Sequence, residues 1–580
     1  EWFDIPGDPS TTALHIERYT NFGISSEELR SGKPIIGIAQ TGSDLVPCNR
    51  IHMNLALRVR EGIREAGGIA LEFPVHPIQE TGKRPTAALD RNLQYLGLVE
   101  VLFGYPIDGV VLTIGCDKTT PALLMAASTV DIPSICLSSG PMMNGYWKGE
   151  RAGSGTIVWK ARKLLATGEI DEEEFIQIVV DATTSPGFCN TMGTATTMNS
   201  LAEGLGMSLP GCAAIPAPLS ERIEMSYRTG LRIVEMVKKD LTPSKILTRK
   251  AFENSIVLNS AIGGSTNAPI HINAIARHVG VELEIEDWEK VGLEIPMLVN
   301  LQPGGKYLGE DFHRAGGVPA VMNALLKAGK LHDSAITVNG KTVAENYAET
   351  TTQDTDVIRT FQNPMLENAG FIVLKGNIFD SAVMKTSVIS DSFRSQYLDK
   401  PGSRNIFEVR AIVFEGPEDY RKRINDPQLN INVDCILVIR GCGPVGYPGS
   451  AEVVNMQPPD KLIREGILEL PTLGDGRQSG TSGSPSILNA SPESAVGGGL
   501  ALLKTGDMLR IDLNQGSLDV MLDKSELQKR HDELKTEEIE NQTPWQEIYR
   551  NTVGQLSSGG IIELAAKYRK IRNTIPRHSH

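Results

Sequence analysis

One stretch limits the folds open to this 580-residue chain more than any other. The β-branched run Asp108-Gly109-Val110-Val111-Leu112-Thr113-Ile114 ends in the loop Gly115-Cys116-Asp117-Lys118. Thr120 then serves as the cap of a helix whose first residue is Pro121, and Ile132 to Leu137 forms the next strand. Strand, tight loop, helix, strand is a βαβ unit. Strands joined in this way run parallel, and a parallel sheet needs helices on its faces. Ligands gather at the carboxyl ends of such strands, and Cys116, Asp117 and Lys118 fall at that position.

The same alternation extends on both sides. Pro34 to Ala39 is a buried strand, and Ile51, Leu55, Val59 and Ile63 recur at the spacing of one helix face. Gly67-Gly68 stops that helix, and Ile69 to Val75 is another strand. Texture changes after the polar run Thr350-Thr351-Thr352-Gln353-Asp354. Beyond it come short strands separated by Gly-rich turns: Phe371 to Leu374, Ala411 to Phe414, Cys435 to Ile439, Met508 to Ile511 and Leu518 to Met521. The fold class expected is an α/β N-terminal domain with a parallel sheet over 1–355, then a β-barrel-like C-terminal domain over 356–580. The chain from Ser525 to its last residue is expected to be helical and charged.

Composition removes several classes of function. Seventy acidic against 57 basic residues leave a net charge of −13, which argues against a partner held by phosphate contacts, such as nucleic acid. No apolar run approaches the roughly 20 residues of a membrane span. Glu1-Trp2-Phe3-Asp4 shows no basic region leading into an apolar segment, so no secretory signal is expected. Seven cysteines are an odd number, better suited to reduced thiols in a cytoplasm than to a disulfide frame.

Gly441-Cys442-Gly443-Pro444-Val445-Gly446 matches a dinucleotide fingerprint in form only. Pro444 and Pro448 oppose a following helix, and the segment lies outside any βαβ context. Cys136 and Cys435 sit in apolar strands and suit a core. Cys48, Cys116 and Cys189 differ, because each lies in a polar or Gly/Pro-containing loop. Three thiols on separate loops can converge on one face of an α/β sheet, although buried inert cysteine is the commoner fate. Glu80, Asp117 and Glu452 are singly ordinary surface charges; together they make a set of oxygen ligands for a hard cation such as Mg2+. The segment Gly474 to Gly483 is rich in glycine and hydroxyls. It is either a flexible turn or a loop whose backbone approaches a ligand closely.

Four segments occur in one order: Pro47-Cys48-Asn49, Gly115-Cys116-Asp117-Lys118, Pro186-Gly187-Phe188-Cys189-Asn190-Thr191-Met192-Gly193-Thr194-Ala195, and Gly474-Asp475-Gly476-Arg477 through Ser479-Gly480. This combination resembles the dihydroxyacid and sugar-acid dehydratase family over essentially the whole chain. Within it the chain looks most like the pentonate dehydratases, with D-xylonate favoured over L-arabinonate. The resemblance implies that Cys48, Cys116 and Cys189 are thiolate ligands of a 2Fe-2S cluster with one open iron position. It implies Glu80, Asp117 and Glu452 as Mg2+ ligands, joined by a carbamylated Lys118. Ser479 matches the family's base, and Thr481 a hydroxyl that helps at the leaving group. The reaction implied is dehydration of a sugar acid to its 2-keto-3-deoxy acid. Homo-oligomers, dimers or tetramers, are implied as well. Gln478 departs from the apolar residue that relatives often carry there.

Three other readings are set against this one. An electron-transfer or redox-sensing iron–sulfur protein predicts four protein ligands, and clustered ferredoxin-type cysteine motifs are absent from the sequence. A cluster-free sugar-binding protein predicts inert cysteines. Within the enzyme class, dihydroxyacid and 6-phosphogluconate dehydratases are the alternatives, and the second calls for a basic phosphate pocket.

Overall fold

The structure is a computed structural model, and it describes residues 2–535 and 539–571. The N-terminal sheet has four strands, β1 (Ile35–Gln40), β2 (Ile69–Pro74), β3 (Gly109–Ile114) and β4 (Ser134–Ser138), in the order β2-β1-β3-β4. All three pairings are parallel, with Ile36 opposite both Ala70 and Gly109. β1, β3 and β4 are buried almost throughout, which is why they carry continuous apolar runs rather than alternation. The chain leaves β1 toward β2 on one side and reaches β3 on the other. The gap between β1 and β3 is therefore the point where strand order reverses.

The helix over Ile51 to Ile63 spans His52–Glu65, and Gly67, at φ +86°, ends it. The expected cap of the next crossover helix is corrected. That helix is Thr119–Val130, its cap position is Lys118, and among the described residues the Thr120 hydroxyl has no hydrogen-bond partner. Thr119 instead donates from Oγ1 to the Cys116 carbonyl at 2.7 Å. The turn that presents Cys116 thus fixes the helix start two residues earlier than Pro121 suggests.

A small hairpin, β5 (Tyr146–Trp147) with β6 (Glu150–Arg151), follows. Two helices, Thr156–Thr167 and Glu172–Asp181, then pack on each other around a small separate core of Ala152, Ile157, Ala161, Ile170, Ile178 and Ala182.

The C-terminal part is a closed eight-stranded barrel in the order β10-β11-β12-β8-β7-β14-β13-β9. Its strands are β7 (Phe371–Gly376), β8 (Phe379–Lys385), β9 (Ile406–Glu415), β10 (Cys435–Arg440), β11 (Thr472–Gly474), β12 (Ser486–Ser491), β13 (Met508–Asp512) and β14 (Ser517–Val520). Five of these match the strands expected from sequence. β8, β11 and β12 were not foreseen: β11 is three residues long, and β8 and β12 mix serine, asparagine and aspartate with apolar residues.

Where it meets the α/β part, the barrel wall is buried on both faces. In β10, Ile436 and Val438 point into the barrel core, whereas Cys435, Leu437 and Ile439 join the core shared with the α/β part. In β9, Ala411 and Val413 face inward and Ile412 and Phe414 outward. The period of two is intact, but both faces are apolar. The terminal helices Lys524–Glu533 and Pro544–Arg550 agree with the helical reading of the chain from Ser525, of which 536–538 and 572–580 lie outside the described residues.

Candidate active site

A cavity of about 670 Å³ opens at the carboxyl ends of the sheet strands, on the side facing the barrel. Each sheet strand feeds it. The loop after β1 carries Cys48 in a short turn, Pro47–Asn49. The loop after β2 carries Gln79 and Glu80, and the loop after β3 carries Cys116, Asp117 and Lys118. Asn49 ties the first and third loops together: it accepts from the Cys116 amide at 2.6 Å and donates to Thr41 Oγ1 at 2.8 Å and Thr119 Oγ1 at 3.2 Å. A side chain at Gly115 would sit 2.4 Å from Asn49 Oδ1, so this approach requires glycine.

Cys189 arrives differently. It follows no sheet strand; Phe188 pairs with Pro141, just beyond β4, and its amide donates to the Gly140 carbonyl at 3.0 Å. The three cysteines expected to converge therefore line one cavity, together with Glu80, Asp117, Glu452, Ser479 and Thr481. All are free thiols; Cys116 is buried, and Cys48 and Cys189 are half-buried. Gln79 donates to Cys48 Sγ at 3.2 Å and Ser154 to Cys189 Sγ at 3.4 Å. Burial pushes the Cys189 thiol up to about 12. A hydrogen bond from Cys116 brings Cys48 below the usual thiol value, and Cys116, as its donor, is held well above it. One soft metal group touching all three thiols fits this arrangement, because metal binding displaces thiol protons.

The barrel supplies the opposite wall. Glu452 pairs in a parallel bridge with Arg477, just past β11, and Ser479 follows two residues later. Oxygens of Glu80, Asp117 and Glu452 all lie within 4.8 Å of one another. An octahedral Mg2+ spans ~4.2 Å between opposite ligands, so this set matches a cation of that size. Lys118 Nζ lies 3.1 Å from both Glu80 Oε2 and Asp117 Oδ2. Arg477 reaches Glu452 Oε1 at 2.9 Å and Glu80 Oε1 at 3.3 Å. Among the described residues, buried Glu80 Oε2 is met by the Lys118 ammonium at 3.1 Å and by no further donor. A buried carboxylate oxygen in an acidic cluster suits a cation ligand.

Electrostatics inside this cluster are a balance of burial against pairing. Burial and Glu80 push Glu452 up to about 7. The same two influences raise Asp117. For Glu80, burial is outweighed by Lys118 and Arg477, and its pKa falls. Lys118 is wholly buried, which disfavours its charge, yet Asp117, Glu80 and Glu452 together hold it above the usual lysine value.

Ser479 and Thr481 stand between the two walls. Their hydroxyl oxygens are 3.0 Å apart, and the Ser479 amide donates to Asn455 Oδ1 at 2.9 Å. Gly480 between them packs against the start of the Thr194–Gly204 helix, where a Cβ would fall 2.5 Å from the Thr194 nitrogen. The Gly474–Gly483 segment is thus a loop in close backbone contact, not a flexible linker. Gln478 is buried; its amide donates to the Ser484 carbonyl at 3.0 Å, tying the loop to itself.

Several contributors escaped the sequence reading. Arg477 was quoted there only as part of a motif. Asn267, which donates to Glu452 at 3.1 Å and to the Gln478 carbonyl at 2.9 Å, carried no signal beyond the run Gly263-Gly264-Ser265-Thr266 before it. The rejected dinucleotide fingerprint is explained by its partners. The Gly441 and Cys442 amides go to the buried Asp475 carboxylate, and those of Val445 and Gly446 to Glu493. Four of its amides are thus taken up by carboxylates, and no helix follows directly.

Comparison with known proteins agrees with this geometry. Residues 33–346 match the N-terminal dihydroxy-acid/6-phosphogluconate dehydratase domain and residues 356–560 the C-terminal one. A D-xylonate dehydratase of Caulobacter vibrioides is 60% identical over 580 residues, all of this chain and 97% of the relative. An L-arabinonate dehydratase of Rhizobium leguminosarum bv. trifolii is 47% identical over 503 residues, 87% of this chain and 85% of the relative. A dihydroxy-acid dehydratase of Caldanaerobacter subterraneus is 37% identical over 551 residues, 93% and 95% of the two chains. The chain belongs to the dihydroxy-acid/6-phosphogluconate dehydratase family.

Proposed function

We propose that this protein is a hydro-lyase that dehydrates a pentonate, D-xylonate ahead of L-arabinonate, to its 2-keto-3-deoxy acid. The observation that carries the reading is a single cavity lined by three thiols, three carboxylates and a hydroxyl pair, in a chain 60% identical along its whole length to a D-xylonate dehydratase.

In this reading Cys48, Cys116 and Cys189 hold a 2Fe-2S cluster. Glu80, Asp117, Glu452 and a carbamylated Lys118 hold Mg2+. When bound, these groups supply positive charge and a Lewis-acidic position beside the substrate's carboxylate and hydroxyls. Lys118 as an ammonium repels a cation, and a carbamate reverses its sign. Asn267 and Arg477 fix the Glu452 carboxylate from behind, as outer partners of ligands commonly do. Ser479 Oγ takes the C2 proton. The C2–H electron pair forms the C2–C3 double bond as the C3–O bond breaks, and the proton taken by Ser479 passes to the departing hydroxide, which leaves as water. The resulting enol tautomerises to the keto acid.

The lining also bears on substrate choice. Among the described residues lining the cavity, Arg50 is the one lysine or arginine, and it is paired with Asp44 at 2.8 Å. A phosphorylated substrate needs more cationic contact than this, which sets 6-phosphogluconate behind a free pentonate. Among the described residues no helix is long and apolar enough to cross a membrane; we place the enzyme in the cytoplasm. Exposed Met53 and Leu57 on one helix and Ile176 and Val180 on another support a dimer or tetramer, which sedimentation will measure.

The test is an anaerobic assay of 2-keto-3-deoxy acid formation over a panel of aldonates and branched dihydroxy acids, with and without Mg2+. D-xylonate should give the highest kcat/KM, and only with Mg2+ present. Preference for a branched-chain dihydroxy acid refutes the sugar-acid assignment.

A further inference from the structure

The geometry points to Trp159 as a positioning residue for the reaction: its indole N–H holds the Thr481 hydroxyl so that Thr481 donates to Ser479 Oγ when that oxygen carries negative charge. The inference rests on Ser479 being the base, as proposed above. It directs Thr481 toward the base rather than toward the leaving group.

An indole nitrogen is a donor only. Trp159 Nε1 lies 3.0 Å from Thr481 Oγ1, so Thr481 is the acceptor in that bond. Among the described residues, the acceptor within reach of Thr481's own proton is Ser479 Oγ, at 3.0 Å. The Thr481 amide faces the same oxygen at 3.4 Å. Two donors from one residue therefore converge on Ser479 Oγ, and the first is polarised by the indole behind it.

The rotamer of Thr481 is fixed independently. Its methyl fills space left by two glycines: a Cβ on Gly155 would lie 2.5 Å from Thr481 Cγ2, and one on Gly193 3.2 Å. With the methyl held there, the hydroxyl stays between Trp159 and Ser479. Gly155 is also the cap of the helix Thr156–Thr167 that carries Trp159, so a single turn supplies both the gap and the indole. One helical turn further on, the Arg162 guanidinium sits 4.8 Å over the indole ring, which pins its plane.

A serine hydroxyl is a poor base unless its charged form is stabilised. Hydrogen bonds to an ionised oxygen are roughly twice as strong as neutral ones, so this chain acts mainly when Ser479 is charged. Loss of the terminal donor should lower kcat and leave substrate binding alone.

The experiment compares kcat and KM for Trp159→Phe in three backgrounds of the reconstituted enzyme: wild type, Thr481→Ser and Thr481→Val. Phenylalanine keeps the packing and removes the donor. In wild type and in Thr481→Ser, which retains a hydroxyl, kcat should fall about tenfold with KM within about twofold. In Thr481→Val the same change should cost less than about twofold, since the hydroxyl it acted through is gone. Trp159→His, which retains a ring N–H, should recover most of the loss. An equal loss in all three backgrounds, or an unchanged kcat in Trp159→Phe, overturns the inference. Full activity in Ser479→Ala removes the base assignment itself, whereas an inactive Ser479→Ala beside a kcat-neutral Trp159→Phe sinks this inference alone.

Discussion

Around the cavity the sulfur side is uncharged and sparsely bonded, whereas the oxygen side is charged and crowded. Cys48 takes side-chain bonds from Cys116 and Gln79, and Cys189 one from Ser154. Glu80, Asp117 and Glu452 share two buried cations, Lys118 and Arg477. The difference teaches how the two sides wait for their ligands. Cys116 and Cys189 are held above the usual thiol value, so on the proposed function loading that side exchanges their protons for metal. Carboxylates cannot wait bare in such a place, and the fold covers them with its own lysine and arginine. A cation entering there competes with charges already in position.

The sharpest way to break this contrast is Cys189→Ser. It should remove the visible absorption of the anaerobically reconstituted protein and its turnover together; retained absorption would detach Cys189 from the cluster. Ser479→Ala should lower kcat by about 10³-fold with the absorption unchanged, separating the base from both walls. Glu452→Gln probes the oxygen side. It should keep the absorption and raise the Mg2+ concentration for half-activity by more than about tenfold, and a loss of colour instead would mean the two sides are not independent. Asn267→Ala, one shell further out, should raise it by about tenfold and leave the absorption intact.

The smallest effect tests the rule that an unaccompanied buried carboxylate behaves differently. Glu203 lies away from the cavity, accepts from the Gly211 and Ala213 amides at 2.7 and 2.8 Å, and is pushed by burial from 4.5 to about 7. Its folded-state pKa lies above that of the free side chain, so the proton it holds stabilises the fold. That contribution is complete below about pH 4.5 and is lost as the pH rises through about 7. Glu203→Gln should flatten the fall in thermal midpoint across this window, by about 1–3 kcal/mol of stability. An unchanged slope would show that Glu203 does not titrate there.

What the sequence disclosed follows from locality. Cys48 and Cys116 each stand a few residues past a buried strand, so strand pattern and loop composition were enough to mark them. β9 and β10 were found because their continuous apolar runs reflect burial on both faces. β8 and β12 were missed because serines, an aspartate and an asparagine interrupt their apolar residues, although the strands belong to a closed wall. The outer parts of the site are nonlocal. The Arg477–Glu80 pair joins positions 397 apart, Arg477–Asn267 positions 210 apart, and Trp159–Thr481 positions 322 apart. No periodicity within one segment encodes such a meeting. Even the misplaced helix start is of this kind, since the Cys116 carbonyl, not a helix-forming preference, claimed the Thr119 hydroxyl.

That the two walls come from opposite ends of the chain has a consequence for biogenesis. Cys189 precedes Glu452 by 263 positions. At ribosomal speeds of about 5–20 residues per second, every thiol has emerged roughly 13–50 s before the last carboxylate exists. On the proposed function, metal delivery to the thiols therefore has a window during translation in which Cys48, Cys116 and Cys189 are present with Glu80 and Asp117, but Glu452 and Arg477 are not.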